Sequence, residues 1–177
     1  MDVAIGLFTR NSVAGTSLQM ISDEMGFTKS AIYYHFRTRD ELLGAILEPI
    51  VEQLGGLVDD AQAQRTPRAR ADRMLTGYID LAVANRDLFP VFSGDPGVVE
   101  FLRGKPAWAE RIRRQAELLS GAEPGPGGQV KAAMVMGGIA TAVGVAFEHL
   151  DDDALRDQLL AAARRTLGLR PGAPRPT

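Results

Sequence analysis

Side chains that carry hydrogen-bond donors or flat aromatic rings cluster between residues 29 and 35: Lys29, Ser30, Tyr33, Tyr34 and His35. On one short helix these five face outward while Ala31, Ile32 and Phe36 pack inward. A helix fits the major groove of DNA, where base edges present distinct donor and acceptor patterns, and flanking hydroxyl, imidazole and basic groups bind phosphates. This segment is therefore a candidate nucleic-acid contact.

Two predicted helices, joined by a glycine turn, position these side chains. Helix-capping residue types and apolar residues at helical spacing precede the turn: Thr16, Ser17, Leu18, Ile21 and Met25. Gly26 adopts the left-handed conformation that ends a helix at little cost, and Thr28 caps a second helix from Lys29 to about His35. The pattern indicates a helix-turn-helix. Spacing alone leaves an ordinary αα-hairpin with a polar surface open.

The segment from Gly26 to Leu47, GFTKSAIYYHFRTRDELLGAIL, resembles the signature of the tetracycline-repressor (TetR) family of bacterial regulators. The matching features are the turn glycine, the following hydroxyl, the small-aliphatic pair, the aromatic run and the basic-acidic step: Gly26, Thr28, Ala31-Ile32, Tyr33-Tyr34-His35-Phe36 and Arg39-Asp40. The resemblance covers roughly Val3 to Leu47. It implies an all-α protein with a three-helix helix-turn-helix DNA-binding domain, residues 1–47, and a C-terminal helical ligand-binding and dimerisation domain, residues 48–168.

The resemblance also implies individual roles. The family's base-reading positions correspond to Gln19, Lys29, Ser30, Ala31 and Tyr33, and Thr28 belongs to the same DNA-binding set. Its phosphate-contacting positions correspond to Ser17, Tyr34, His35 and Arg39. Relatives usually begin their first helix several residues earlier, with a basic arm, so we expect a trimmed start or an absent arm here. Arg37 replaces a proline or polar residue that is often found at its position.

Composition and charge restrict the class of protein. The 177 residues are 45% hydrophobic with no cysteine, which fits a soluble globular protein without disulfides or thiolate metal sites. Nothing at the N-terminus resembles a signal peptide, so we expect a cytoplasmic location. The net charge is −2, and the first fifty residues hold four cations and six acids. DNA binding must therefore depend on a local cluster, Lys29 with Arg37, Arg39 and His35.

A long helix is predicted to join the two domains. It begins at Thr38 and places apolar residues at intervals of three and four as far as Ala61. Pro49 and the Gly55-Gly56 pair are expected to bend or soften it. The bend is either a harmless kink or a flexible connection of the kind that a ligand-driven switch needs.

Four arginines between residues 65 and 73 have two interpretations. They could form a basic patch for nucleic acid. Alternatively, Thr66 caps a helix with Pro67 at its first position, and the arginines cover the solvated face of that helix, which runs to about Asn85. We favour the surface helix.

Large apolar residues lie on several short predicted helices between Asp87 and Gly121, separated by proline and glycine. Such residues either line a cavity or form an ordinary core. We predict a mostly apolar pocket for a neutral or amphipathic small-molecule effector, lined by Met74, Tyr78, Phe92, Phe101, Trp108, Ile112, Met134 and Thr141.

The run from Val130 to Phe147 is apolar on all sides. It could suggest a membrane span, but it is short, flanked by Lys131 and Glu148, and contains glycines, so we favour a helix buried within an assembly. We predict a homodimer, without membrane insertion, through helices from Val130 to Leu150 and from Asp153 to Leu167. A flexible loop from Glu123 to Gln129 and a disordered tail, residues 169–177, complete the prediction.

Catalytic motifs are missing from the sequence. The histidines are His35 and His149, and there is no phosphate-binding loop or dinucleotide fingerprint. His149 with the acids Asp151 to Asp153 could be a metal site, but a helix-end histidine followed by capping acids is simpler. We therefore expect no enzyme, cofactor or metal. The predicted function is ligand-responsive regulation, most simply repression, at a double-stranded palindromic DNA operator; the alternative is a helical protein-interaction module with a vestigial helix-turn-helix.

Overall fold

The protein is all-α in the part of the chain that the structure describes. This computed structural model describes residues 1–145, 147 and 150–169, without the side chains of Pro90, Phe92 and Ser93. The helices in these residues are α1 (Asp2–Asn11), α2 (Leu18–Glu24), α3 (Lys29–His35), α4 (Arg39–Gln62), α5 (Pro67–Ala84), α6 (Phe89–Gly94), α7 (Pro96–Arg103), α8 (Pro106–Ser120), α9 (Pro126–Gly144) and α10 (Asp152–Leu167). We call α1 to α3 the N-terminal unit and α5 to α10 the C-terminal unit.

Local signals define the N-terminal unit as predicted. Ser17 caps α2, its hydroxyl accepting a hydrogen bond from the backbone N–H of Met20 at 3.1 Å. Gly26 has a φ of 67°, in the left-handed region, and Thr28 caps α3. Helix α1 buries Ala4, Leu7 and Phe8 beneath these helices. The two caps and the glycine therefore confirm the predicted helix-turn-helix.

Helix α4 connects the two units without interruption. Thr38 caps it by accepting from the N–H of Glu41 at 3.1 Å, and the Glu41 carboxylate accepts from the N–H of Arg37 at 2.7 Å. The helix continues through Pro49. Its apolar stripe is buried along the whole length, from Leu42 to Ala61. The predicted domain boundary between residues 47 and 48 lies inside this helix.

The arginine-bearing side of helix α5 lies on the surface, which agrees with the interpretation favoured from the sequence. Thr66 caps it, with Pro67 in the first turn, and its end at Ala84 agrees with the sequence pattern. The arginines between residues 65 and 73 are exposed. Two of them contact the chain itself: Arg73 pairs with Asp60 at 2.8 Å, and Arg70 donates to the Gln64 carbonyl.

Helix α9 differs from the prediction at both ends. It begins at Pro126 rather than Val130, because proline suits the first helical turn and Gly125, at a φ of 107°, ends the preceding loop. It ends at Gly144, so Leu150 lies beyond it. Most of the predicted flexible loop before it is therefore helix. Ala146, Glu148 and His149, including the histidine of the alternative metal site, lie outside the described residues.

The burial of α9 is one-sided within a single chain. Ala132, Val135, Ile139 and Val143 are buried in the core. On the other side, 59% of Val130 and 64% of Met134 are exposed, and nothing lies within 4 Å of a Cβ placed at Gly137 or Gly138. This bare apolar surface, which we call the α9 face, consists of Val130, Met134, Gly137, Gly138 and Thr141.

The C-terminal end of α10 corrects the predicted tail. Gly168 adopts the left-handed conformation at a φ of 68°, and the N–H of Leu169 donates back to the Arg164 carbonyl at 2.8 Å. The Leu169 side chain is buried, which a hydrophobic residue two places past a helix end often achieves. Leu169 is therefore packed rather than part of a disordered tail, and the rest of the predicted tail, residues 170–177, lies outside the described residues.

Among the described residues, no helix is both long enough and apolar enough to cross a membrane.

The interior of the C-terminal unit contains an unpaired amide. Gln115 on α8 is fully buried, and neither its amide nitrogen nor its oxygen has a hydrogen-bond partner among the described residues. A buried polar group without a partner costs about 1–3 kcal/mol. Because methionine has nearly the same shape, Gln115→Met is expected to raise the free energy of unfolding by about 1 kcal/mol or more in urea denaturation. The exposed Gln53→Met should leave it unchanged; a destabilised Gln115→Met would contradict the expectation.

Candidate nucleic-acid interface and ligand groove

Helix α3 presents nearly all of its side chains to solvent. Ile32 is its buried residue, and Phe36 just beyond it is half-buried. Ala31, which we predicted to pack inward, is exposed, because a seven-residue helix anchored by Ile32 turns its neighbour away from the core. The exposed positions of α3 include every residue predicted to contact DNA there: Lys29, Ser30, Ala31, Tyr33, Tyr34 and His35.

Neighbouring side chains on α3 pair with each other. The ammonium of Lys29 lies 5.6 Å from the ring centre of Tyr33, a cation–π contact. The rings of Tyr34 and His35 meet edge to face at 5.2 Å, and 85% of Tyr34 is exposed. A charge, two phenols and an imidazole therefore stand together on one exposed helix, a surface that suits a polyanion.

The predicted DNA contacts on α2 and in the turns form hydrogen bonds within the protein, and some of them can also donate to an external partner. Ser17 and Thr28 accept the capping hydrogen bonds of α2 and α3, which use only an oxygen lone pair, so each hydroxyl can still donate outward. Gln19 donates from its amide to Asp23 at 2.6 Å, which holds it along α2. Ser17 and Thr28 are exposed and Gln19 is half-buried, so their DNA contacts stay predictions.

Arg39 stands apart from this set. Its guanidinium donates to the backbone carbonyl of Val13 at 3.0 Å and of Ala14 at 3.4 Å, and lies 3.6 Å from the carboxylate of Asp40. The side chain thus ties the start of α4 to the turn between α1 and α2. Its predicted phosphate contact stays a prediction. Nothing in the sequence around Arg39 indicates these partners, because backbone carbonyls 25 residues away carry no residue-type signal.

The predicted effector pocket does not form from the predicted residues. Met74 and Tyr78 are buried in the core, where burial raises the pKa of the Tyr78 phenol and its hydroxyl donates to the Met136 carbonyl at 3.4 Å. Met134 and Thr141 belong to the exposed α9 face, because the helical spacing that groups them also turns them away from the core. Ile112 packs partly against the core. The Phe92 side chain lies outside the described residues.

A groove of about 620 Å³ lies between α4, α7 and α8. The last two predicted pocket residues, Phe101 and Trp108, line this groove. We call it the α4–α8 groove. Its apolar part comprises Gly44, Ala45, Leu47, Val51, Phe101, Leu102, Ala107 and Trp108. Its polar part comprises Thr38, Asp40, Glu41, Glu48, Lys105 and Arg111. The volume is that of a small-molecule site, about 300–1,000 Å³. The contribution of α4 could not be predicted, because the half-buried small residues there, Gly44 and Ala45, have no distinctive sequence pattern.

The fold defines a class of protein: a helical chain with an N-terminal helix-turn-helix followed by a C-terminal helical unit. Comparison with known proteins agrees. Residues 1–46 match the family model described as bacterial regulatory proteins, tetR family. A 64-residue region is 38% identical to the HTH-type transcriptional regulator AcrR of Shigella flexneri, covering 36% of this chain and 30% of that protein. The matched region thus spans less than a third of that relative.

Solved structures extend the similarity of fold over nearly the whole chain. The ketosteroid transcriptional regulator KstR2 of Mycobacterium tuberculosis gives a TM-score of 0.74 at 14% identity, covering 94% of this chain and 90% of that one. A TetR-family regulator from Streptomyces coelicolor gives 0.75 at 22% identity, covering 96% and 90%. The N-terminal region is thus similar to the tetR family of bacterial regulatory proteins, and the chain shares the fold of these solved structures.

Proposed function

We propose that this protein is a cytoplasmic, ligand-responsive repressor, not an enzyme, that binds a palindromic DNA operator and leaves it when a small apolar effector binds. The observation that carries the proposal is the exposed α3, whose donors and rings have few contacts outside the helix. Helix α4 joins this reading surface to the α4–α8 groove, so one continuous helix borders both sites.

In this proposal α3 enters the major groove. Lys29 donates to guanine O6 and N7, and Ser30, Ala31 and Tyr33 face neighbouring base edges together with Gln19 of α2. Ser17, Thr28, Tyr34, His35 and Arg39 contact the phosphates and set the register. For Arg39 this contact requires the guanidinium to leave the carbonyls of Val13 and Ala14, or to reach a phosphate with its remaining N–H groups.

The test of base reading compares two charge-removing substitutions within the N-terminal unit. Lys29→Ala is expected to weaken specific binding by about 1–3 kcal/mol, because a base contact is lost, and to weaken non-specific binding less. Arg37→Ala, an exposed residue beside α3, should weaken both equally and flatten the salt dependence. Gel-shift titrations with DNA flanking the gene and with scrambled DNA measure both.

Arg68→Ala, on the exposed part of α5 in the C-terminal unit, is the charge-matched control and should change neither affinity. An unaltered specificity ratio in Lys29→Ala would remove the base-reading role. If the wild type binds no DNA from its own genomic neighbourhood or from a random library, the alternative applies: a helical protein-interaction module with a vestigial helix-turn-helix.

The proposed homodimer pairs the α9 face with its copy across a two-fold axis, with α10 alongside. Support comes from the exposure of Val130 and Met134 and from a shallow apolar depression where α9 meets α10, between Met134, Gly138 and Ala162. Four helices, two from each subunit, would bury this surface. The operator is then an inverted repeat whose half-sites lie about 34–36 Å apart or a multiple of that distance.

The proposed effector site is the α4–α8 groove. Phe101, Trp108 and the aliphatic side chains of α4 suit an apolar body, and the charged groups at its rim suit a polar end. A neutral or amphipathic organic molecule fits this combination. The ligand acts by binding the DNA-competent and the incompetent arrangement with different affinities, and α4 is the element that both sites share.

A further inference from the structure

A buried carboxylate joins the two units of the chain. Asp95 lies between α6 and α7 in the C-terminal unit and is 8% exposed. Its Oδ2 accepts a hydrogen bond from the backbone N–H of Val13, 82 residues earlier, at 2.6 Å. Val13 lies in the turn between α1 and α2, and its own side chain is 1% exposed. A short, buried hydrogen bond to a carboxylate is among the stronger contacts that a protein forms.

The two carboxylate oxygens of Asp95 have separate partners. While Oδ2 accepts from Val13, Oδ1 accepts from the N–H groups of Gly97 at 2.7 Å and Val98 at 3.4 Å, which caps α7. The same side chain thus fixes the start of α7 and attaches it to the N-terminal unit. Capping alone needs one oxygen, which serine or asparagine also supplies.

The turn that Asp95 holds is conformationally unusual. Ser12 has a φ of 63° and a ψ of 166°, which non-glycine residues rarely adopt. A Cβ at Gly15 would lie 2.1 Å from the Asn11 carbonyl oxygen, so only glycine fits there. The buried Thr16 hydroxyl donates to the Ser12 carbonyl at 2.8 Å. A turn in this conformation needs external contacts to maintain one geometry, and Asp95 provides one.

Val13 is held on both sides. Its N–H donates to Asp95 of the C-terminal unit, and its carbonyl accepts from Arg39 at the start of α4 at 3.0 Å. The backbone N–H and carbonyl of one residue therefore connect the turn before α2 to α7 and to α4.

The other end of α7 carries Phe101 and Leu102, which line the α4–α8 groove. At 1.5 Å per residue, about 10 Å of helix separates Asp95 from that groove.

We propose that Asp95 is a positioning residue that fixes the orientation of the N-terminal unit through the backbone of Val13, and thereby sets the spacing of the two reading helices in the dimer. The second half of this statement rests on the proposed DNA-binding function; the first half concerns the single chain. Displacement of α7 by a molecule in the groove would move Asp95, which makes this contact a second connection between the groove and the reading surface beside α4.

Asp95→Asn separates the two roles of the side chain. The asparagine oxygen retains the α7 cap, while its NH₂ group confronts the N–H of Val13, donor against donor. Asp95→Ser is the second variant, because serine caps α7 but is too short to reach Val13. Asp151→Asn is the matched control: Asp151 caps α10 through Ala154 and has no other side-chain hydrogen bond among those of the described residues.

Hydrogen exchange tests the contact. Loss of a hydrogen bond to a charged group is expected to speed exchange of the Val13 amide at least about ten-fold in Asp95→Asn and Asp95→Ser. The amides of Gly97 and of the α4 core should keep their protection, which excludes general unfolding. Asp151→Asn should match the wild type throughout. Wild-type exchange at Val13 in both Asp95 variants would overturn the proposal.

Spin labels test the orientation. The chain contains no cysteine, so Tyr34→Cys on α3 and Arg68→Cys on α5 can be labelled selectively, and dilution with unlabelled protein isolates distances within one subunit. We expect pulsed electron paramagnetic resonance to give a broader distance distribution when Asp95→Asn or Asp95→Ser is added, and an unchanged one with Asp151→Asn. Unchanged distributions in both Asp95 variants would contradict a positioning role even if Val13 exchange increases.

Operator spacing tests the consequence for function. The wild type is expected to prefer its selected inverted repeat over the same repeat with one or two base pairs inserted between the half-sites, and Asp95→Asn to lose most of that preference. If the wild type binds no DNA, the proposed function fails while exchange and spin-label distances still decide the role of Asp95. If both proteins bind DNA with the same spacing preference, Asp95 does not set the spacing.

Discussion

Gly137→Arg is expected to convert the proposed dimer into a folded monomer and to abolish high-affinity operator binding. Gly137 lies on the α9 face with nothing within 4 Å of a Cβ placed there, so an arginine at this position disturbs no packing inside the chain. In a two-fold interface, the same surface of each subunit contacts its copy. The substitution would therefore bring two arginines together in a desolvated interface, where buried like charges are unfavourable. Two linked DNA-binding units bind DNA about 10²–10⁴ times more tightly than one unit alone, and the monomeric variant is expected to lose this gain in affinity.

Light scattering at micromolar concentration and circular dichroism measure the two parts of this prediction: a halved mass with unchanged helix content. Gly56→Arg is the matched control, because Gly56 is an exposed helical glycine on α4 that also has no neighbour within 4 Å. It should remain dimeric. A monomeric wild type, or a Gly137→Arg variant that stays dimeric, would exclude the α9 face as the interface.

The starts of the helices could be predicted from the sequence because capping is local chemistry. The expected caps at Ser17, Thr28, Thr38 and Thr66 each accept a hydrogen bond from a backbone N–H three residues further on. The ends of α9 were harder to predict. Pro126 was assigned to a loop, although proline in a first helical turn is favourable, because glycines surround it and obscure where the helix begins.

Contacts between distant segments could not be predicted in the same way. The sequence correctly predicted the solvated, arginine-bearing face of α5. It did not reveal which helix packs against α9, so the predicted cavity residues Met134 and Thr141 lie on the α9 face instead. Asp95 caps α7, which begins at Pro96. Its second oxygen accepts from the backbone of Val13, and a backbone N–H carries no side-chain identity that a sequence pattern could detect.

The candidate reading surface was predictable because α3 is short and self-contained. One buried residue, Ile32, sets its rotation, and every other side chain of the helix then faces solvent. The exception among the predicted DNA contacts is Arg39, whose carbonyl partners lie on the turn between α1 and α2. The exposed side of a short helix with one buried anchor is therefore largely predictable, Ala31 being the exception on α3, whereas the partners of a long side chain such as Arg39 are not.

A molecule that binds in the α4–α8 groove is expected to lower operator affinity about 5- to 150-fold, the range of a coupling free energy of about 1–3 kcal/mol. The physical reason is the position of the groove. Glu41, Gly44 and Glu48 line it from the first turns of α4, directly after the N-terminal unit, and Phe101 lines it from α7. A ligand between α4 and α7 changes the separation of these two helices. Because α4 follows α3 directly, this movement also changes the orientation of the N-terminal unit.

Gly44→Leu tests the position of the site. A Cβ at Gly44 would lie 3.4 Å from the Phe101 ring, so a leucine side chain there extends into the groove and competes with any ligand. A thermal-shift screen of neutral and amphipathic organic compounds against the wild type supplies the probe, and operator affinity is then measured with and without the compound found. We expect Gly44→Leu to lose the thermal shift and the change in affinity together, and Gly56→Leu, at an open position on the same helix, to keep both.

A compound that binds the wild type and Gly44→Leu equally would place the site elsewhere. One that is displaced by Gly44→Leu but leaves wild-type operator affinity unchanged would show that the groove binds ligands without controlling the reading helix.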